Sequence, residues 1–116
     1  MFNIDLQSKV PIYEQIVNQV ERYIMLGILK KDEQLPSVRQ IAGELGINPN
    51  TIQKAYSELE NRKMIISLSG KGNFVSNDIE TVLEDKKEEL IKRVKEDIRE
   101  LQELGIDVSK IFKSLT

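Results

Sequence analysis

The sequence predicts a mainly α fold with a small β-hairpin, and three observations carry that reading. Residues 35–60 read as two short helices separated by a tight turn. The run from Met64 to Ser76 sets two short apolar segments around Ser69-Gly70-Lys71-Gly72, the layout of a hairpin with a basic, glycine-rich tip. From Ile79 to Leu104, apolar residues recur at helical spacing between runs of charge. Two helices joined by a short turn form a helix-turn-helix unit, and a hairpin directly after it makes the unit winged. The expected organisation is a winged helix-turn-helix domain over residues 1–78 and a C-terminal helical dimerisation segment over residues 79–116.

The first long helix opens at Val10-Pro11 and runs to about Gly27, a proline start and glycine end that suit helix termini. Ile12, Ile16, Val20, Tyr23 and Ile24 form its inward stripe, while Glu14, Gln15, Asn18, Glu21 and Arg22 face out. This is expected to be a scaffold helix. Leu29 to Gln34 reads as a polar connection whose lysines, Lys30 and Lys31, are solvated. Ser37 then caps a short helix, and Gln40 three residues later completes a capping box. Ile41 and Leu45 supply the inward face, and Gly46 is the stop.

Asn48 is an N-cap with Pro49 at the first helical position, where a missing N–H is harmless. The helix that follows buries Ile52, Ala55, Tyr56 and Leu59, spaced i, i+3, i+4, i+7. Its other face carries Asn50, Gln53, Lys54 and Ser57, polar groups able to hydrogen-bond base edges and phosphates. Tyr56 is assigned to the core, with a hydroxyl long enough to reach a phosphate.

Asn77 or Asp78 can cap the long helix, which Gly105 stops; Asp107 or Ser109 caps a last short one carrying Ile111, Phe112 and Leu115. A solitary helix cannot bury the stripe Leu83, Leu90, Val94, Ile98 and Leu101 by itself. Either it folds back on its own domain or it meets a second copy, and the length of the stripe favours a second copy.

Composition narrows the function. Hydrophobic residues make up 40 % and charged residues 31 % of the 116 positions, enough apolar content for a core. The chain lacks cysteine and histidine, which excludes disulfides and the usual zinc sites and removes the commonest general base. No apolar run approaches a membrane span and the N-terminus lacks a signal-peptide layout, so the expected location is cytoplasmic. Gly70-Lys71-Gly72 is not a phosphate loop: the motif spacing is absent and strands flank it on both sides. No nucleophile–base pair stands out, so an enzyme is not expected, nor is a cofactor or metal.

The net charge of −2 looks wrong for a nucleic-acid binder, but its distribution matters more. Residues 1–78 hold nine basic and nine acidic side chains, and residues 79–116 account for the whole deficit. Within residues 34–76, Arg39, Lys54, Arg62, Lys63 and Lys71 outnumber Glu44, Glu58 and Glu60. So small an excess predicts weak binding by one copy and a need for two on one site.

The segments Leu35-Pro-Ser-Val-Arg-Gln-Ile-Ala42, Asn48-Pro-Asn-Thr-Ile-Gln-Lys-Ala-Tyr-Ser-Glu-Leu-Glu60 and Gly70-Lys-Gly-Asn-Phe-Val75 resemble the GntR family of bacterial transcriptional repressors. Asn48-Pro49-Asn50-Thr51 and the short tail resemble its YtrA-like branch. The motifs cover roughly residues 8–78. Asp32 and Lys63 depart from the pattern where glycine is usual, and Asn73 where threonine is usual. Asp and Asn tolerate left-handed backbone better than Lys does.

The resemblance implies a homodimeric repressor that binds double-stranded DNA, the helix from Asn48 lying in the major groove of a two-fold symmetric operator. It matches Arg39 to an arginine that reads the operator in this family, and guanine suits its fork. Ser37 at a helix N-terminus suits a phosphate, and Asn48, Asn50, Thr51, Gln53 and Lys54 face bases or phosphates. Lys71 reaches the minor groove, with Gly70 and Gly72 letting the backbone approach closely. The branch also implies control of neighbouring transporter genes. Too little chain follows residue 78 to enclose a pocket, so any small-molecule effector would sit at a subunit interface or between wing and tail. The alternative is a winged-helix protein–protein interaction module without DNA binding. Such a surface more often carries exposed aromatic or large aliphatic anchors than the polar groups found here.

Overall fold

The first helix, α1 (Ile12–Met25), starts behind Pro11 and ends in left-handed Gly27. Its buried face is Ile16, Val17, Val20, Glu21 and Ile24; Ile12 and Tyr23 are only half-buried. Three of the residues expected to face out are not exposed, Glu14 being half-buried like Gln15. Glu21 is 5 % exposed, because the Arg62 guanidinium reaches it at 2.8 Å. Gln15 is half-buried and clamps the N-terminal segment, its Oε1 accepting from the Asp5 N–H at 2.8 Å and its Nε2 donating to the Asp5 carbonyl at 3.0 Å. Gln19, one turn on, pairs with the backbone of Asn3 in the same two-way manner. The computed structural model, which describes residues 2–115, thus lays residues 3–5 along α1 as if the glutamine amides were a neighbouring strand.

Next comes α2 (Val38–Leu45), capped by Ser37, whose Oγ accepts from the Gln40 N–H at 3.0 Å. The Gln40 side chain also donates through Nε2 to Glu44 Oε1 at 3.2 Å, one turn further along α2. A short turn leads to α3 (Pro49–Asn61), with Asn48 as N-cap and Pro49 at its head. As its periodicity predicts, α3 buries Ile52, Ala55, Tyr56 and Leu59, packing on both α1 and α2. The Tyr56 hydroxyl donates to the Pro36 carbonyl at 2.6 Å, so it is committed to holding α3 against the lead-in to α2 rather than turned outward.

The hairpin consists of β1 (Ile65–Leu68) and β2 (Gly72–Val75), antiparallel, with Ile65 opposite Val75 and Leu68 opposite Gly72. The connection before α2 is more than a polar loop. Leu29 is buried, and residues 32–35 lie along the free edge of β2. There the Leu35 N–H donates to Asn73 O at 2.8 Å and the Val75 N–H to Glu33 O at 2.8 Å. Covering an edge in this way satisfies backbone groups that would otherwise invite pairing with another chain.

After Ser76 the chain enters α4 (Ile79–Glu103) and then α5 (Val108–Ser114). Asp107, rather than Ser109, caps α5: its Oδ1 accepts from the Ser109 N–H and hydroxyl, which holds the carboxyl below its usual range. The chain divides into two compact units, Met1–Val82 and Leu83–Thr116. The core of the first is built from α1, α2, α3 and the hairpin, with Ile16, Val20, Ile52, Leu59, Ile65 and Val75 among its most enclosed side chains.

Candidate nucleic-acid interface

Polar groups at the start of α2 and along α3 are presented by the same packing that buries the opposite faces. Ser37 and Arg39 are exposed at the first turn of α2. The Ser37 oxygen accepts the capping bond, which leaves its proton free to donate outward. Asn48 likewise spends its Oδ1 on the Asn50 N–H at 2.9 Å and keeps its amide NH2 as a donor pair. On α3, Asn50, Gln53 and Lys54 are exposed and Thr51 is half-buried. Gln53 Nε2 donates to Ser57 Oγ at 3.2 Å, one turn further along the same face.

Lys54 does not project as a free rod. Its Nζ lies 4.0 Å from the centre of the Tyr13 ring, which belongs to the first turn of α1. Pro11, Ile12 and Tyr13 of α1 and Asn50, Thr51 and Lys54 of α3 line a shallow cleft of about 440 Å³. Tyr13 is half-buried, and its phenol is held above its usual pKa, first by desolvation and then by the Glu14 carboxylate. Periodicity marked α1 as scaffold; only the packing of α1 on α3 brings Tyr13 to this surface.

At the wing tip Lys71 is exposed. Gly72 has a local reason to be glycine: at φ 114° an added Cβ would lie 2.8 Å from Gln34 Nε2. That same amide donates to the Lys71 carbonyl at 3.0 Å, so Gln34 braces the tip from the covering segment. Nothing in the local sequence marks Gln34, since the contact spans 37 positions.

Arg39, Lys54 and Lys71 are thus exposed cations on α2, α3 and the wing respectively. Among the described residues no cluster of His, Cys, Asp or Glu is arranged to hold a metal, and no helix is long and apolar enough to cross a membrane. In the second unit, Leu90 and Val94 on α4 are 43 % and 52 % exposed, while Leu83, Ile98 and Leu101 are half-exposed. Ile91, not among the residues singled out from spacing, is also exposed and widens the apolar strip.

The family model for bacterial regulatory proteins of the gntR family matches residues 12–75, which run from the head of α1 to the end of the hairpin. The HTH-type transcriptional repressor YtrA of Bacillus subtilis is 39 % identical over 114 residues, covering 97 % of this chain and 88 % of that protein. Among solved structures, a transcriptional regulator from Oenococcus oeni superposes with a TM-score of 0.74 at 33 % identity, covering 99 % of this chain and 96 % of that one. The DNA-binding domain of AraR, solved in complex with an operator, matches 66 % of this chain and 94 % of its own with a TM-score of 0.54 at 26 % identity.

Proposed function

The chain belongs to the GntR family of bacterial regulatory proteins, a family of DNA-binding transcriptional regulators, and from that premise we propose that it is a repressor whose two copies bind one two-fold symmetric operator. The observation that carries this reading is the division of α3: Ile52, Ala55, Tyr56 and Leu59 are enclosed, while Asn50, Gln53 and Lys54 are left to solvent, as is Arg39 of α2. A helix anchored by one apolar face and presenting short polar groups on the other suits the major groove. The likeness to a repressor over nearly the whole chain, and to a domain solved on its operator, supports the same assignment.

In this reading Arg39 addresses a guanine through O6 and N7, and Asn50 and Gln53 address adjacent base edges. Ser37, Asn48 and Thr51 contact the backbone at the two helix starts, and Lys71 enters the neighbouring minor groove with Gly72 behind it. The apolar strip Leu83, Leu90, Val94, Ile98 and Leu101 joins the two copies. A dimer suits the weak local charge, because one winged domain offers few cations to the phosphates.

The test is a titration of the full chain against a duplex selected from a random-sequence library and against the same duplex scrambled, at several salt concentrations. The selected duplex should bind at least tenfold more tightly. Arg39→Ala should remove roughly 1–3 kcal/mol of that preference and relax one base pair in each half-site. Equal affinity for both duplexes would sink sequence-specific recognition.

A further inference from the structure

Lys54 stands where α3 meets α1. Its ammonium sits over the face of Tyr13, and the two side chains share a cleft with Asn50 and Thr51. We infer that Tyr13 is a positioning residue for DNA binding: its ring holds the Lys54 ammonium on the α1 flank of α3, against the phosphate backbone walling the groove rather than the base edges on its floor. This rests on the reading of α3 as the helix in the groove.

Geometry supplies the first part of the argument. Because α1 packs on α3, a lysine that leans onto an α1 ring leaves its helix sideways, not along the outward normal. In a helix seated in the major groove the outward normal meets base edges, and the flanks meet the strand backbones. An ammonium is a compact point charge that suits phosphate, whereas the guanidinium of Arg39 and the amides of Asn50 and Gln53 match base edges through paired bonds.

The chemistry of the contact supplies the second part. The ring quadrupole attracts the cation, yet an ammonium carries three donors and can face a phosphate while resting on the ring. A long flexible stem already held in place loses less freedom on binding than one that must be captured from solution. It is the ring face, not the phenol oxygen, that does this, for the Tyr13 hydroxyl donates to Glu14 Oε1 at 3.3 Å on its own helix.

The experiment titrates the full chain with a mixed-sequence duplex of about three helical turns at low salt, where phosphate contacts dominate affinity. Lys54→Met should weaken binding and lower the slope of log affinity against log salt by about one per winged domain. Tyr13→Leu should weaken binding about two- to fivefold per winged domain, the strength of an exposed cation–π contact, and Tyr13→Phe should retain most of the affinity. In a Lys54→Met background, Tyr13→Leu should change nothing further.

If Tyr13→Leu weakens binding as much when the lysine is gone, the ring acts through packing or its own contact and the inference is overturned. Loss in Tyr13→Phe equal to that in Tyr13→Leu overturns it too, because the hydroxyl would then be the working group. Lys54→Met binding like the parent, while Arg39→Ala loses affinity for the selected duplex, also overturns it but leaves the groove reading intact. If neither substitution matters, the reading of α3 itself fails.

Discussion

Glu21 and Arg62 show how one side chain settles an arrangement that no local pattern announces. A carboxylate taken out of water needs charge-assisted hydrogen bonds, and the Glu21 side chain is 7 % exposed. Arg62, the C-cap of α3, supplies a bond of 2.8 Å to Glu21 from Nη1 and one of 3.0 Å to Glu58 from Nε. The hydrogen bond that Arg62 donates to Glu21 leads the effects that hold the guanidinium pKa above its usual value. The fork therefore ties α1 to the end of α3. Arg62→Met should lower unfolding stability by roughly 1–3 kcal/mol, because the buried carboxylate loses its guanidinium. In a Glu21→Gln background the same substitution should cost clearly less, which chemical denaturation of the four variants measures as a coupling. Additive losses would mean that the two residues act separately.

Helix ends decide the geometry at the scale of elements. The end of α3 is a Schellman motif, with Met64 N–H donating to Leu59 O at 3.0 Å and Lys63 N–H to Glu60 O at 2.9 Å. That motif places Lys63 at φ 63°, the left-handed position that Gly27 fills after α1. A side chain there crowds its own carbonyl, at a cost of about 1–2 kcal/mol, whereas glycine fits but leaves a more flexible unfolded chain. Lys63→Gly should therefore raise stability by about 0.5–1 kcal/mol in urea unfolding, with the turn into the hairpin unchanged. The wing tip contributes differently. Lys71 is an exposed charge and adds little to folding. Lys71→Ala should reduce affinity for the selected duplex while leaving the unfolding midpoint in place. Unaltered affinity would make the wing a structural hairpin only.

The whole molecule poses a question of association. The strip on α4 leaves Leu90, Ile91 and Val94 about half in water, and Ile111, Phe112 and Leu115 further along are exposed too. Enclosing an aliphatic side chain of this kind contributes roughly 1.5–3 kcal/mol, which gives two copies an apolar driving force to pair along the strip. Replacing Val94 and Ile98 together with glutamate should turn the full chain into a monomer by sedimentation. Operator affinity should fall by orders of magnitude, while circular dichroism retains the helical content of the winged domain. A parent chain that sediments as a monomer at micromolar concentration would remove the dimer from the proposal.

The elements were legible in the sequence because each depends on neighbours a few positions apart. Ser37, Asn48, Pro49 and Gly46 mark helix ends through bonds to nearby backbone, and the inward stripe of α3 follows from 3.6-residue periodicity. The family was legible from the segments at 35–42, 48–60 and 70–75, and its model matches residues 12–75. Contacts across distant positions were not. Glu21 read as an outward charge until Arg62, 41 positions on, came beside it. Residues 32–34 read as a polar connection until β2 offered them an edge, and Gln34 met the wing only through that pairing. Lys54 read as a polar group on the outer face of its helix, and which way it leans was decided by a ring on α1. Local bonds and periodicity determined what each segment is; the tertiary structure decided which charges are enclosed and where the exposed ones point, because both depend on what packs against them.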